Sequence, residues 1–183
     1  MDDQTLIQNY LAGGDAVAAT RLFERYEHGL YHYLWQMLRH QQDTEDATQE
    51  TIGKALRALP NYRHENHFKS WLFRIGHHEA INIIRKRKKL VIHEDPQSLI
   101  DDNSSAEPEP GAAMEAGERH QALQAALEKL PDAEREVVFL RLYQDITFKE
   151  IAQITETPLG TVLARMHQAK KRLHTILQPA LAS

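Results

Sequence analysis

The amino-acid sequence predicts an all-α protein made of two small helical domains, an N-terminal helical bundle and a C-terminal helix-turn-helix, joined by a flexible acidic linker. Apolar residues recur every three or four positions through most of the chain, and no stretch alternates convincingly as a strand would. Eight of the 26 acidic residues lie between His93 and Glu118, where there is no lysine or arginine. The rest of the chain holds 18 acids against 22 bases, a charge of +4, so two mildly basic pieces flank an acidic connector.

The N-terminal domain, residues 1–89, is predicted to be a bundle of long helices. The first spans Asp15 to His40, with Asp15 as its N-cap after two glycines. The second begins near Asp43, whose carboxylate can cap it, and stops at Pro60 because proline ends helices. The third spans about Phe68 to Lys88 and is expected to bury Trp71 in its apolar stripe.

Residues 90–117 are predicted to form the flexible linker. The segment combines the acidic run with prolines, glycines and a serine pair, and it offers too little apolar surface to order itself. The C-terminal domain, residues 118–183, then begins with a helix that Pro131 breaks, and a second helix spans about Asp132 to Tyr143.

The stretch TFKEIAQITETPLGTVLARMHQAKKRL, Thr147 to Leu173, is typical of a helix-turn-helix. Thr147 and Glu150 have the spacing of a capping box, and Thr157-Pro158 is expected to cap and start the second helix. One face of that helix is apolar and can dock on the domain. The opposite face can then enter a DNA major groove. Its residues are Thr161, Ala164, Arg165, Gln168 and Arg172.

Side-chain chemistry on this second helix favours duplex DNA as its partner. Arg165 and Gln168 can bond guanine or adenine bidentately, whereas Lys170, Lys171 and Arg172 suit phosphates. The alternative is a plain amphipathic helical hairpin whose charges are only solvated.

The composition also argues against disulfide-linked, thiol-catalytic and membrane-spanning proteins. The chain has no cysteine, which excludes disulfides and thiol catalysis, and no segment approaches the ~20 apolar residues needed to cross a bilayer. We therefore expect a cytoplasmic protein without direct membrane insertion.

His28 and His32 are one helical turn apart, which leaves a metal hydrolase open as an alternative. Because spacing places no acidic partner beside them, we expect no metal site. We expect no catalytic residue and no cofactor either.

The C-terminal domain resembles that of extracytoplasmic-function (ECF) sigma factors of bacterial RNA polymerase. The matching residues are Leu130-Pro131, Arg135-Glu136-Val137, Glu150-Ile151-Ala152, Pro158, Gly160-Thr161-Val162 and Arg165, followed by the basic tail. The chain departs from the pattern at Leu163-Ala164, where many members have Lys-Ser. The resemblance implies that this domain reads the minus-thirty-five promoter element. The residues implicated are Thr161, Ala164, Arg165, Gln168, Lys171 and Arg172.

The segment DTEDATQETIGKAL, Asp43 to Leu56, resembles the polymerase-binding segment of the same family. Its acids and glutamine form a hydrogen-bonding ridge on one helix, although the residues alone also fit an ordinary solvated face. The resemblance implies contact with core RNA polymerase through Asp43, Glu45, Asp46, Gln49 and Glu50.

The segment HFKSWLFRIGHHEAINIIRKRKK, His67 to Lys89, resembles the family segment that recognises and opens the minus-ten element. The preceding loop, NYRHENH, has residue types that can bond or stack on a flipped base of the non-template strand, although it also fits a polar loop without a ligand. His78 and Asn82 stand where the family usually has Asn and Asp. The residues implicated are Asn61, Tyr62, Asn66, His67, Arg74, His77, His78, Asn82 and Arg85.

Taken together, the resemblance implies a sigma factor whose partners are core RNA polymerase, promoter DNA as duplex and as melted non-template strand, and an anti-sigma factor. It also suggests that the acidic linker mimics nucleic acid in the polymerase channel; a purely solubilising tether is the alternative. A helix-turn-helix regulator that does not replace a sigma factor remains the competing function.

Overall fold

The computed structural model describes residues 1–63, 67–93 and 117–181. The chain divides into two compact units, Met1–Ser105 and Ala106–Ser183. Every regular element in the described ranges is helical, which confirms the predicted all-α class.

The described residues of the N-terminal unit form four α-helices. They are α1 (Asp3–Gly13), α2 (Ala16–Leu38), α3 (Gln41–Ala58) and α4 (Phe68–His93), with a 3-10 turn at Leu59–Asn61. The sequence interpretation missed α1, which packs on α2 and buries Leu6 and Ile7.

The first turns of α2 and α3 are capped in different ways. The Asp15 carboxylate accepts hydrogen bonds from Val17 N at 3.0 Å and Ala18 N at 3.2 Å, as predicted. The prediction that Asp43 caps α3 is wrong, because the helix begins at Gln41 and places Asp43 inside its first turn. The cap is His40, whose Nδ1 accepts a hydrogen bond from Asp43 N at 3.2 Å.

The core of the N-terminal unit lies where α2, α3 and α4 meet. Tyr33 and Phe73 are both fully buried, and their rings stack at a centroid distance of 5.4 Å. Gly76 allows α4 to approach α2, since a Cβ there would lie 2.8 Å from Leu30 Cδ1. Trp71, expected in the core, is only half-buried and borders the surface.

The C-terminal unit is built from α5 (Gly117–Glu128), α6 (Asp132–Val138), α7 (Phe148–Ile154) and α8 (Leu159–Leu181). A short π-helical segment, Phe139–Tyr143, continues α6 to the predicted end of that helix. Helices α5, α6 and α7 all pack against α8, which makes α8 the central element of the unit.

Of the two N-caps predicted in the helix-turn-helix, the structure has the one at α7 but not the one at α8. The capping box is present: Thr147 N donates to Glu150 Oε2 at 3.0 Å, and Glu150 N donates to Thr147 Oγ1 at 3.3 Å. At the second helix, however, the Thr157 hydroxyl donates to the Thr155 carbonyl rather than capping. Helix α8 therefore begins at Leu159, one residue later than predicted, and the Pro158 carbonyl accepts its first hydrogen bond.

The predicted linker bounds need one correction. Helix α4 continues to His93, so residues 90–93 are helical rather than part of a flexible connector. The rest of the predicted linker before α5, residues 94–116, lies outside the described residues.

Candidate functional site

An acidic surface lies on α3, where the polymerase-binding residues were predicted. Asp46, Gln49 and Glu50 are exposed, and Glu45 is half-buried. Two of the carboxylates are held in place along the helix: Gln41 donates to Glu45 and Gln42 donates to Asp46, each at 3.0 Å. Glu50 lies 3.2 Å from Arg57 and 3.6 Å from Lys54, so its charge is partly compensated.

Asp43, the remaining predicted polymerase-binding residue, is half-buried and paired within the protein. Its carboxylate forms an ion pair with Arg87 of α4 and lies 3.7 Å from the His40 ring. Arg87 also donates to the Leu38 carbonyl at 3.0 Å. Asp43 therefore links α3 to α4 through Arg87, and Arg87 in turn bonds the end of α2, which is a structural use of the Asp43 charge.

The loop before α4 brings an aromatic cluster to the surface. Tyr62 is half-buried, with its ring centroid 4.9 Å from that of Trp71 and 5.8 Å from that of Phe68. Burial raises the pKa of the Tyr62 hydroxyl, so the ring stays neutral. Asn61 and His67 flank this cluster and are exposed, whereas Asn66 lies outside the described residues.

Along α4, the predicted DNA-facing residues divide into two groups. Arg74, Asn82 and Arg85 are exposed and His78 is half-buried; their spacing of three or four residues places them along one side of the helix. The expectation that His77 is accessible is wrong. It is 8% exposed, and its Nδ1 lies 2.9 Å from the buried Tyr33 hydroxyl, because its side of α4 faces α2.

Helix α8 has one buried and one outward face. Val162, Met166 and Ala169 are at most 4% exposed and fix the helix on the unit. The predicted Thr161, Ala164, Gln168 and Lys171 are exposed. Sequence reasoning missed His167 and Leu163, which helical spacing places next to Ala164 on the outward side and which are also exposed.

The two arginines of α8 that were predicted to contact DNA, Arg165 for bases and Arg172 for phosphates, lie at the edge of this outward face. Arg165 is half-buried. Arg172 donates through Nε to Glu134 Oε1 at 3.2 Å and lies 3.1 Å from Oε2, and Glu134 is only 5% exposed. Arg172 was expected to serve phosphates, but the structure shows that it also neutralises a buried carboxylate of α6.

A basic groove of about 540 Å³ adjoins the outward face of α8. Its lining residues are Lys129, Gln168, Lys171, Arg172, Thr175 and Ile176. Lys129, at the end of α5, was not predicted as a site residue; no sequence spacing connects it to α8, and only the packing of α5 on α8 brings it there. Its two lysines have the charge that phosphate contacts require, whereas the charge of Arg172 is already paired with Glu134.

The metal-site alternative finds little support in the described part of the chain. The His28 and His32 rings are close, with centroids 4.3 Å apart. Among the described residues, however, no group of three or more potential ligands could hold a metal ion. None of the described helices is long and apolar enough to cross a membrane.

Comparison with known proteins shows which family the chain resembles. Residues 22–90 match Sigma-70 region 2, and residues 120–173 match Sigma-70, region 4. The RNA polymerase sigma-H factor of Pseudomonas aeruginosa is 29% identical over 185 residues, covering 98% of this chain and 95% of the relative. The ECF RNA polymerase sigma-E factor of Escherichia coli K12 is 28% identical over 191 residues, covering 99% and 97%.

A solved structure shows the same fold. The sigma factor RpoE of Bartonella quintana, crystallised with the anti-sigma factor NepR, superposes with a TM-score of 0.71 at 22% identity, covering 87% of this chain and 96% of that one. Both Sigma-70 regions occur in order, and the similarity to the curated relatives extends over nearly the whole chain. The chain therefore belongs to the extracytoplasmic-function sigma factors of bacterial RNA polymerase.

Proposed function

We propose that this sigma factor binds core RNA polymerase through the acidic surface of α3 and places α4 and α8 on separate promoter elements. The observation that carries the division is that α3 exposes carboxylates, whereas the outward sides of α4 and α8 expose arginines, lysines and amides. Basic and amide side chains suit nucleic acid, and an acidic ridge suits a basic protein surface. As an initiation factor the chain needs no catalytic residue, and its place of action is the cytoplasm, with the polymerase.

The polymerase contact can be tested by charge reversal on α3. Asp46→Lys should weaken binding to core enzyme, measured by fluorescence anisotropy, and lower run-off transcription in parallel. Glu24→Lys, an exposed acid on α2, is the matched control because it changes the net charge equally. Equal binding of both variants to core enzyme would overturn the assignment of α3.

For the minus-ten element, we propose that the Tyr62 cluster and the exposed side of α4 capture bases of the non-template strand. Asn82→Ala and Arg85→Ala should slow initiation on duplex promoters more than on promoters with a pre-opened mismatch bubble. That difference is expected because capture of extruded bases offsets the cost of separating strands. Equal loss on both templates would mean that these residues do not take part in melting.

The chain is further proposed to be held inactive by an anti-sigma factor, as its structural relative is found bound to one.

The acidic linker is proposed to act as a nucleic-acid mimic in the polymerase channel. Replacing the seven acids of residues 90–117 by Asn and Gln at constant length should lower initiation while leaving core binding intact. Unchanged transcription would leave the linker as a tether.

A regulator that does not replace a sigma factor would need a region 4-like domain only. The match of residues 22–90 to Sigma-70 region 2 disfavours it. Run-off transcription with sigma-free core enzyme decides between the two: RNA synthesis that depends on the added chain is expected, and none at any promoter of its own genome would refute the proposal.

A further inference from the structure

Helix α8 exposes an apolar strip that its packing does not need. Leu159 is 38% exposed and Leu163 is 46% exposed, although Val162 and Met166 on the same turns are buried at 0% and 4%. Ala164 is exposed beside Leu163. The buried face already anchors the helix, so these exposed apolar side chains are available to a partner.

The surroundings of this strip point to duplex DNA rather than to an apolar protein surface. Lys170 is exposed about two turns from Leu163 on the same side of α8, and Gln168 and Lys171 are exposed farther around the helix. A partner that meets both features must carry closely spaced negative charges and small apolar groups. In the major groove, only thymine offers such a group, its C5-methyl, beside the phosphates.

We propose that Leu163 and Ala164 recognise thymine methyl groups in the upstream promoter element, and so help to set the sequence preference of this sigma factor. The inference rests on the proposed function, because it concerns how α8 reads duplex promoter DNA. It assigns a role to the two positions at which the chain departs from the Lys-Ser pair of its family pattern. Lysine and serine would offer hydrogen-bond donors there, whereas leucine and alanine offer only van der Waals contact.

The experiment removes the methyl groups from the DNA. A promoter is first selected from the organism's own genome with reconstituted holoenzyme, and each thymine of its upstream element is then replaced singly by deoxyuridine. The wild-type holoenzyme should lose about fourfold in affinity at one or two neighbouring positions, as expected for a buried methyl group. Thymines outside the element should be insensitive to the replacement.

Two variants connect that effect to the proposed residues. Leu163→Gln and Ala164→Ser should each reduce the preference for the thymine over the deoxyuridine promoter at the affected positions, because each replaces an apolar contact with the methyl group by a polar one. Leu142→Gln is the matched control, since Leu142 is 65% exposed in the same unit but lies outside α8. It should retain the full thymine preference.

The outcomes separate this inference from the proposed function. If the wild-type holoenzyme initiates but deoxyuridine has no effect at any upstream position, the methyl readout is wrong and the sigma function stands. The readout is also wrong if both α8 variants keep the wild-type thymine preference. If no promoter supports initiation, the proposed function itself fails.

Discussion

The ion pair between Arg172 and Glu134 allows the structural and DNA-binding roles of neighbouring cations on α8 to be separated. Arg172→Met keeps most of the aliphatic stem but removes the guanidinium, and it leaves Glu134, 5% exposed, without its charged partner. Lys171→Met is the matched change at the preceding residue, whose side chain is exposed and lines the basic groove. The first should lower stability, and the second should mainly lower DNA affinity.

The size of the stability effect follows from burial. A hydrogen bond to a charged group contributes ~1.5–3 kcal/mol, and leaving a buried charge unpaired costs ~3–5 kcal/mol. The Arg172 side chain is 56% exposed, so water already screens the pair. We therefore expect the free energy of unfolding of the C-terminal unit to fall by about 2 kcal/mol in Arg172→Met and by less than ~0.5 kcal/mol in Lys171→Met.

The assay uses an internal control that the chain supplies. Both tryptophans, Trp35 and Trp71, lie in the N-terminal unit. In urea, tryptophan fluorescence therefore reports unfolding of that unit, while far-UV circular dichroism reports both. Arg172→Met should shift the circular dichroism component that tryptophan fluorescence does not follow, and it should leave the fluorescence midpoint unchanged.

A double variant makes the reasoning refutable. Glu134→Leu combined with Arg172→Met replaces the pair by apolar side chains, which should recover most of the lost stability. The account fails if the double variant is as unstable as Arg172→Met alone. It also fails if Lys171→Met destabilises the unit as much as Arg172→Met.

Three further predictions concern single contacts. Thr147→Ala removes one half of the capping box at α7 and should cost about 1 kcal/mol in the C-terminal unit by circular dichroism, whereas Thr161→Ala on the exposed face of α8 should cost less than half as much. Tyr33→Phe leaves the buried His77 ring without this hydroxyl and should lower the tryptophan-detected stability by ~1–2 kcal/mol; no change would mean that the hydrogen bond is energetically neutral. Burial and the nearby His28 lower the pKa of His32 below 6.5 in the folded protein, so folding favours the neutral ring. Stability is therefore lost as the pH falls from 6.5 towards the lower pKa of the folded state. His32→Gln should therefore lose less stability between pH 7 and pH 5 than the wild type, and an identical loss would contradict this cause.

Local sequence signals were sufficient for most of the secondary structure. Periodic apolar residues gave α2, α3 and α4, and the Asp15 cap and the Thr147–Glu150 capping box marked two helix starts. These features depend on neighbours a few residues apart, so the sequence carries them directly. Helix α1 was missed because its apolar pattern is short, and what holds it is its packing on α2.

Neighbouring residues in the chain are enough to predict the helical class, the capping box of the helix-turn-helix and the set of polar residues from which the candidate surfaces are drawn. Which of those residues are available to a partner depends on how the helices pack. That packing buries His77 against Tyr33, commits Asp43 to Arg87 and Arg172 to Glu134, and brings Lys129 beside α8. Each of these contacts joins residues from different elements, many positions apart in the chain. Helical spacing fixes which residues share a face, but the packing of one helix on another decides whether that face meets protein or solvent.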